Sequence, residues 1–297
     1  MSRQGGLLSS PSITLEAAGR SEQGRSREIN QDAFAVCRPL GLFVIADGMG
    51  GHPDGEIASA LAVEAAQRFY AEPGRTWPAD AAGPIGDPRA FLVAAVKHAH
   101  ARIRAEAAPV VPGQRSMGTT LVAVHAEPTG FCVAHVGDSR CYRLRDRALE
   151  LLTRDHTRMN EYLGMGASRE DAVRMPDHAS LSRALGTRER VEVDVRMEDA
   201  RAGDVVLLCT DGLSNVVTDE EIARALAGWS DAEATAAALI GIAEARGAGR
   251  RDVHRSAVRE FVDEPRRARR RTVRASASTS SGAVSATPTS SRSSHPK

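Results

Sequence analysis

The sequence predicts a fold that mixes β-strands with α-helices. Short apolar runs bounded by turn residues are typical of strands, and two longer stretches carry apolar side chains at helical spacing. The chain has 297 residues, enough for one large domain or two small ones with a substantial core, and 42% of them are hydrophobic. Because only 4% are aromatic, Ala, Val and Leu must provide most of the packing.

Strands and helices follow one another along the chain. "DAFAVC" (32–37) and "GLFVIA" (41–46) are predicted strands, and long amphipathic helices are predicted at 55–70 and 89–108. The apolar face of the first helix is expected to comprise Ile57, Leu61, Ala65 and Phe69. Further strands are predicted within 118–127, 130–146, 148–156 and 204–213, and further helices at 219–227 and 231–246.

Charge is distributed unevenly. From Pro265 onward there are seven Arg, one Lys and no acid, whereas the preceding residues hold 31 basic and 38 acidic side chains, a balance of −7. The segment 263–297 has no aliphatic side chain larger than valine and is predicted to be a disordered Arg/Ser-rich tail. A role of the Arg cluster at nucleic acid or a membrane surface is the alternative, but no such partner is expected.

Several classes of protein are disfavoured. No apolar run approaches the roughly 20 residues that cross a bilayer, and the N-terminus has no apolar core of signal-peptide length. A cytoplasmic monomer is therefore expected. None of the four cysteines belongs to a CxxC pair, which argues against a zinc site or a disulfide framework.

Aspartates recur at the ends of the predicted strands. Asp47, Asp138 and Asp211 each end an apolar run beside turn residues, and Asp32 opens "DAFAVC". Singly, each is explained by the preference of Asp for turns. Together, carboxylates held at the rim of a sheet suit a hard divalent cation such as Mg or Mn. Two such ions would activate water for in-line attack on phosphorus.

Residues beside these aspartates point to a phosphate ester. Gly48, Gly50 and Gly51 let an ester approach closely, and the Gly48 carbonyl is left accessible to a metal. Arg27 lies five residues before Asp32 and is either a bidentate partner for phosphate or a surface charge. His52 is either an acid for the leaving group or an exposed turn histidine.

These residues lie in sequence blocks that resemble the bacterial branch of the protein phosphatase 2C (PPM) family, the metal-dependent Ser/Thr phosphatases. The blocks are ordered as in the family: "GRSREINQDAF", "VIADGMGGHPDGEIAS", "SMGTTLVAV", "VAHVGDSRCYRLRD", "LTRDHT", "LSRALG" and "VVLLCTDGLSNVVTDEEI". The resemblance implies an α+β fold in which two antiparallel sheets form a sandwich flanked by antiparallel helix pairs. It also implies a phosphatase domain over 12–262, with residues 156–180 as a variable flap.

The resemblance also assigns roles to individual residues. Asp47 would bridge two Mg or Mn ions, the Gly48 carbonyl would bind one, and Asp211 would be a further ligand. Asp32 would act through water, and Asp138 matches an aspartate linked to a weaker third ion. Arg27 matches the phosphate-binding arginine, and His52 matches the histidine that assists the leaving group.

The C-terminal block departs from the family pattern. The family has Asp-Asn-(Val/Ile)-Thr followed by a core strand, whereas this chain reads "GAGRRDVHRSAVREFVDEP". Asp252 is the only nearby candidate for the ligand, and "HRSAVREFV" is a poor buried strand because charged residues interrupt it. The sequence leaves open a diverged C-terminus or a loss of reading frame near residue 253.

The function that these observations predict is hydrolysis of phosphoserine or phosphothreonine in proteins. Metal-bound hydroxide would attack directly, and the enzyme would oppose bacterial Ser/Thr kinases. A pseudophosphatase, in which the same fold serves as a regulatory binding module, is the alternative from another class. A phosphatase for small phosphate esters is a third interpretation, because the flap carries no readable substrate code.

Overall fold

The computed structural model describes residues 14–23, 29–49, 54–72, 86–107, 117–128, 130–228, 231–247 and 255–263. By internal packing the chain divides into Met1–Glu264 and Pro265–Lys297, and every described residue belongs to the first unit. The tail predicted for 263–297 thus lies almost wholly outside the described residues. The predicted bounds of the phosphatase domain remain a prediction.

The strands of the described residues are antiparallel and form two sheets. They are β1 (Thr14–Glu22), β2 (Asp32–Cys37), β3 (Leu42–Asp47), β4 (Leu121–Glu127), β5 (Gly130–Val136), β6 (Arg140–Arg145), β7 (Ala148–Leu151), β8 (Asp194–Asp199), β9 (Val205–Cys209) and β10 (Arg255–Asp263). One sheet has the order β1-β10-β9-β6-β7, which we call the first sheet. The second sheet has the order β2-β3-β4-β5-β8.

Helices pack outside the two sheets. They are α1 (Gly55–Ala71), α2 (Pro88–Ala107), α3 (Arg158–Gly164), α4 (Arg169–Arg174), α5 (Asp211–Ser214), α6 (Asp219–Ala227) and α7 (Ala232–Gly247). A single 3₁₀ turn, Arg38–Leu40, joins β2 to β3. None of the helices in the described residues is long and apolar enough to cross a membrane.

The core has three apolar layers, which explains the continuous apolar run of β3. Because successive side chains of a strand point to opposite faces, Leu42, Val44 and Ala46 pack toward α1 and α2, and Phe43 and Ile45 pack between the sheets. A third cluster joins the first sheet to α6 and α7 through Leu207, Ile222, Leu239 and similar residues. The layer order is helix, sheet, sheet, helix, and the α+β sandwich expected from the sequence is confirmed.

The face that α1 buries differs from the prediction. Ile57 is 42% exposed and Leu61 is only partly buried, whereas Ala58, Ala62 and Ala66 are fully buried. A helix lying close against a sheet must present small side chains at the contact, and this requirement outweighed residue hydrophobicity. The expectation was correct for Ala65 and Phe69.

The sequence reading missed or misjudged several strands. β1 and β8 were not predicted, and β8 is a polar edge strand whose charges suit an exposed sheet edge. Most of the segment expected to make a poor buried strand forms β10, which pairs with β1 on one side and β9 on the other. Pairing with two neighbouring backbones overrides local propensity there. The predicted strand 204–213 ends at Cys209, after which α5 begins.

Candidate metal centre

Four of the predicted aspartates meet at one end of the sandwich. Asp32 and Asp47 are directly opposite each other in the register of β2 and β3. Thr210, which follows β9 in the other sheet, donates from its hydroxyl to Oδ2 of Asp32 at 3.1 Å. Asp211 comes next in the chain, and Asp138 follows β5. The site is thus built from both sheets, at the end where β2 begins and where β3, β5 and β9 end.

The four carboxyl groups are close enough to influence one another's ionisation. Asp47 is only 9% exposed, and burial raises its pKa well above the usual range for an aspartate. The negative charges of Asp32, Asp211 and Asp138 raise this pKa further, as does a side-chain hydrogen bond with Asp211. Carboxylates gathered in this way ionise together only when a cation compensates their charge.

Asp138 shows the same effect. Burial, followed by the charges of Asp211 and Asp155, raises its pKa to about 7. Arg140 opposes this shift only weakly. Its guanidinium forms a bidentate ion pair with Asp155, with N–O distances of 2.9 and 2.7 Å. The Arg140 guanidinium is thus paired with Asp155 rather than with Asp138. A bound metal ion would compensate the negative charge of Asp138.

Two threonines hold the backbone of Asp47. The Asp47 N–H donates to Oγ1 of Thr120 at 3.0 Å, and the Asp47 carbonyl accepts from the Thr119 hydroxyl at 2.8 Å. Oγ1 of Thr120 also lies 2.7 Å from Oγ of Ser139, the residue after Asp138. Thr120 therefore connects the two ligand-bearing segments. Sequence reasoning noted "SMGTT" only as a family block; its signal was two adjacent polar residues entering an apolar strand.

Gly48 is required by close packing of the backbone. A Cβ at this position would lie 2.2 Å from the carbonyl oxygen of Gly55 and 2.9 Å from that of Gln31. The Gly48 N–H donates to the same Gln31 carbonyl at 2.9 Å. The chain that leaves Asp47 thus passes directly beside the start of α1, and only glycine fits there.

The donor set fits a hard divalent cation. Its ligand atoms are carboxylate oxygens on rigid strand ends, with hydroxyl and amide groups as neighbours, as Mg and Mn prefer. One of these neighbours is Asn215, whose amide donates to Oδ2 of Asp211 at 3.1 Å. The structure therefore brings together Asp32, Asp47, Asp138 and Asp211, with Gly48 adjoining. Arg27, His52 and Asp252 lie outside the described residues, and their roles remain predictions.

The flap predicted for residues 156–180 contains α3 and α4 and ends near Ser180, whose carbonyl accepts from the Arg158 N–H at 2.9 Å. Thr157 and Ser168 cap the two helices through their side chains. Met165, in the connection between the helices, is 78% exposed.

Comparison with known proteins places this site in a family. The family model described as protein phosphatase 2C matches residues 19–246. The Ser/Thr protein phosphatase PstP of Mycobacterium tuberculosis is 39% identical over 216 residues, which cover 72% of this chain. The match spans only 39% of that relative's length. The Ser/Thr phosphatase stp of Listeria monocytogenes is 34% identical over 218 residues, covering 71% of this chain and 83% of the relative.

A solved structure agrees with the fold and with the chemistry of the donor set. The catalytic domain of PstP in complex with two manganese ions superimposes with a TM-score of 0.69 at 35% identity. The alignment covers 85% of this chain and 100% of that one.

Proposed function

Since the chain belongs to the protein phosphatase 2C family, we propose that it is a metal-dependent phosphatase acting on phosphoserine and phosphothreonine in proteins. The observation that carries this proposal is the convergence of four aspartates at one end of the sandwich. Burial, and secondly the charges of the neighbouring aspartates, raise the pKa of Asp47, so the site favours bound cations at neutral pH. PstP, a relative, holds two manganese ions.

The proposed ligands are those that the family resemblance assigns, and the convergence of four aspartates supports them. Asp47 would bridge two Mg or Mn ions, with the Gly48 carbonyl and Asp211 completing their shells and Asp32 acting through water. Asp138 would hold a weaker third ion. When bound, the paired ions supply a hydroxide nucleophile for direct attack on phosphorus. Thr119 and Thr120 keep the Asp47 backbone in place while the ions bind.

Three further residues have proposed roles from the sequence. Arg27 would orient the phosphate through two parallel N–H···O bonds, because a guanidinium matches a phosphate dianion in shape and charge. His52 would donate a proton to the serine or threonine oxygen as it leaves. Asp252 would complete the ligand set of one ion.

The partners are proposed on the same basis. The substrates would be proteins phosphorylated on Ser or Thr, and the enzyme would oppose Ser/Thr kinases in the cytoplasm. The monomeric state expected from the sequence remains a prediction. The match to PstP covers the minor part of that relative, so the activity of the whole protein is part of the proposal.

The test is Mn²⁺-dependent hydrolysis of a phosphothreonine peptide by the full chain. Asp211→Asn should lower kcat at least about 100-fold, because it removes a charged ligand and its electrostatic effect on the ions. The matched control is Asp146→Asn, in the turn between β6 and β7. Asp146 has φ 49°, a conformation that Asn also adopts readily, so this variant should retain wild-type activity.

The outcomes separate the competing functions. Turnover that requires Mn²⁺ and is lost only in Asp211→Asn supports the phosphatase. A folded wild-type chain that binds Mn²⁺ or a phosphopeptide without turnover would identify a pseudophosphatase that acts as a binding module. Equal hydrolysis of small phosphate esters and phosphopeptides would overturn the assignment to protein substrates.

A further inference from the structure

The turn that carries Asp138 is held from outside the metal centre by a single histidine. The backbone N–H of Gly137 donates to the ring Nδ1 of His156 at 3.1 Å, and the backbone N–H of His156 donates to the Gly137 carbonyl at 2.9 Å. His156 thus forms hydrogen bonds with both the N–H and the carbonyl of Gly137, the residue that precedes Asp138. His156 is 6% exposed, so water competes little for these bonds.

The hydrogen bonds of His156 determine which ring nitrogen carries the proton. Nδ1 accepts from a backbone N–H, so the neutral ring must carry its proton on Nε2. Nε2 lies 3.2 Å from Oδ2 of Asp194, the first residue of β8, and donates to it. Burial, and secondly the nearby His135, lower the pKa of His156, which keeps the ring neutral at pH 7.

The same residues could be mistaken for a metal site. Ligand-type atoms of His135, His156 and Asp194 lie within 4.8 Å of one another. A metal-binding histidine, however, donates its other ring N–H to an acceptor, whereas Nδ1 of His156 faces a donor. Arg183 also places its guanidinium 2.6 Å from Oδ1 of Asp194 and 3.3 Å from Nε2 of His156. The positively charged guanidinium of Arg183 thus already lies at this position. His156, Asp194 and Arg183 form a hydrogen-bonded network rather than a metal site.

We propose that His156 is a positioning residue for the weaker metal site at Asp138, with Asp194 fixing the orientation of its ring. The inference rests on the proposed function, because Asp138 is a ligand only if the centre binds metal. His156 contacts Gly137, the residue before Asp138, and acts through it. Residues of this kind commonly change metal affinity about 10- to 100-fold when removed.

The two nitrogens of His156 can be tested separately. His156→Asn keeps an oxygen acceptor near the position of Nδ1 and loses the bond to Asp194, whereas His156→Gln reaches toward Asp194 and loses the acceptor for Gly137. His135→Gln is the matched control. His135 is equally buried, stacks on His156 with ring centroids 4.6 Å apart, and bonds to the Arg154 carbonyl, which a Gln amide can also reach.

The experiment measures the number and affinity of the Mn²⁺ ions that the full chain binds. Electron paramagnetic resonance detects the free Mn²⁺ in each titration. His156→Gln should weaken the weakest-bound ion about 10- to 100-fold. His156→Asn and His135→Gln should bind that ion about as tightly as wild type, because both keep an acceptor for the Gly137 N–H. Asp194→Ala, at an exposed position that does not threaten folding, should weaken that ion in the same direction by a smaller factor.

A second readout needs neither metal nor turnover. Nitrogen-15 NMR of the histidine rings in metal-free protein should show the proton of His156 on Nε2. A proton on Nδ1, or wild-type Mn²⁺ binding by a folded His156→Gln chain, would overturn the positioning role. Equal losses in His156→Asn and His156→Gln would overturn the assignment to the Gly137 bond. A wild-type chain that binds Mn²⁺ without hydrolysing phosphopeptide would refute the proposed function alone.

Discussion

Single hydroxyl groups decide how rigidly the proposed ligand Asp47 is held. Thr119 and Thr120 are almost completely buried, and between them they satisfy the N–H and the carbonyl of Asp47. Thr120 also reaches Ser139 beside Asp138. A carboxylate whose backbone is fixed in this way keeps its geometry without a bound ion, which would favour the proposed metal binding.

Thr120→Val should destabilise the protein by about 1–3 kcal/mol, because the buried Asp47 N–H loses its acceptor without a change in side-chain volume. Mn²⁺ affinity should fall as well. Urea unfolding with and without Mn²⁺ measures both effects. Thr120→Ser is the control, since it keeps the hydroxyl and should cost only about 1 kcal/mol for the lost methyl group. Equal losses in the two variants would contradict the role of the hydroxyl.

Asp138 should make the metal-free protein less stable as the pH rises. Its pKa is about 7 in the folded chain and near 3.8 ordinarily, so the folded state binds the proton more tightly. This contribution to stability is present below pH 4 and is lost as the pH rises through 7. The asparagine in Asp138→Asn cannot titrate. The free energy of unfolding of this variant in EDTA should therefore increase relative to that of wild type as the pH rises from 5 to 8.

The comparison between the two chains removes the effect of groups that are not coupled to Asp138. Asp47 is coupled to it, and the lower pKa of Asp47 in Asp138→Asn adds to the same gain in stability. Burial lowers the pKa of His135 and His156, so their contribution to the free energy of unfolding falls as the pH decreases. This trend is opposite to that of Asp138. The two histidines are present in both chains and cancel in the difference. A difference that stays constant with pH would show that Asp138 is not the titrating group.

At the scale of elements, the site depends on the junction between β3 and α1. The backbone leaving β3 passes so close to Gly55 that side chains are excluded at position 48. Asp54, just before α1, has a left-handed φ of 64°. The close approach of Gly48 to Gly55 fixes the end of β3, which carries Asp47, relative to the start of α1.

Gly48→Ala should destabilise the protein by at least about 1–3 kcal/mol, because the added Cβ meets the Gly55 carbonyl and the backbone must shift. Mn²⁺ affinity should drop with it. The matched control is Gly241→Ala in α7, where a Cβ meets open space and helix propensity should add about 1 kcal/mol. Thermal unfolding and Mn²⁺ titration of both variants test this; unchanged Mn²⁺ binding in Gly48→Ala would contradict the expected shift.

For the whole molecule, the decisive feature is the position of β10 inside the first sheet. It pairs with β1 along nine residues and with β9 along five. The earliest and latest strands of the described chain are thus joined through one element. Removal of that element would leave β1 without its partner and expose the edge of β9.

A chain truncated after Glu264 should therefore unfold at the same temperature as the full chain, whereas one truncated after Gly247 should fail to fold cooperatively. The first truncation removes only the Arg/Ser-rich segment, and the second also removes β10. Circular dichroism and solubility distinguish them. Cooperative unfolding of the shorter chain at an unchanged temperature would show that β10 contributes little to the fold.

Much of the fold and of the site could be predicted from local sequence. Strands β2 and β3 and helices α1, α2, α6 and α7 were predicted within a residue or two, because their apolar periodicity is a local property. Three of the aspartates at the centre end or follow apolar strands, and that pattern pointed to a common site. These features need only neighbouring residues to be recognised.

Only the tertiary structure decided the rest. The buried face of α1, the inclusion of β10 and the roles of Thr120 and His156 all depend on partners distant in the chain: Thr120 lies 73 positions from Asp47, and His156 lies 19 from Gly137. Local propensity carries no information about such partners. The sequence by itself determined which residues could form strands, helices and ligands, and long-range packing selected which of them meet.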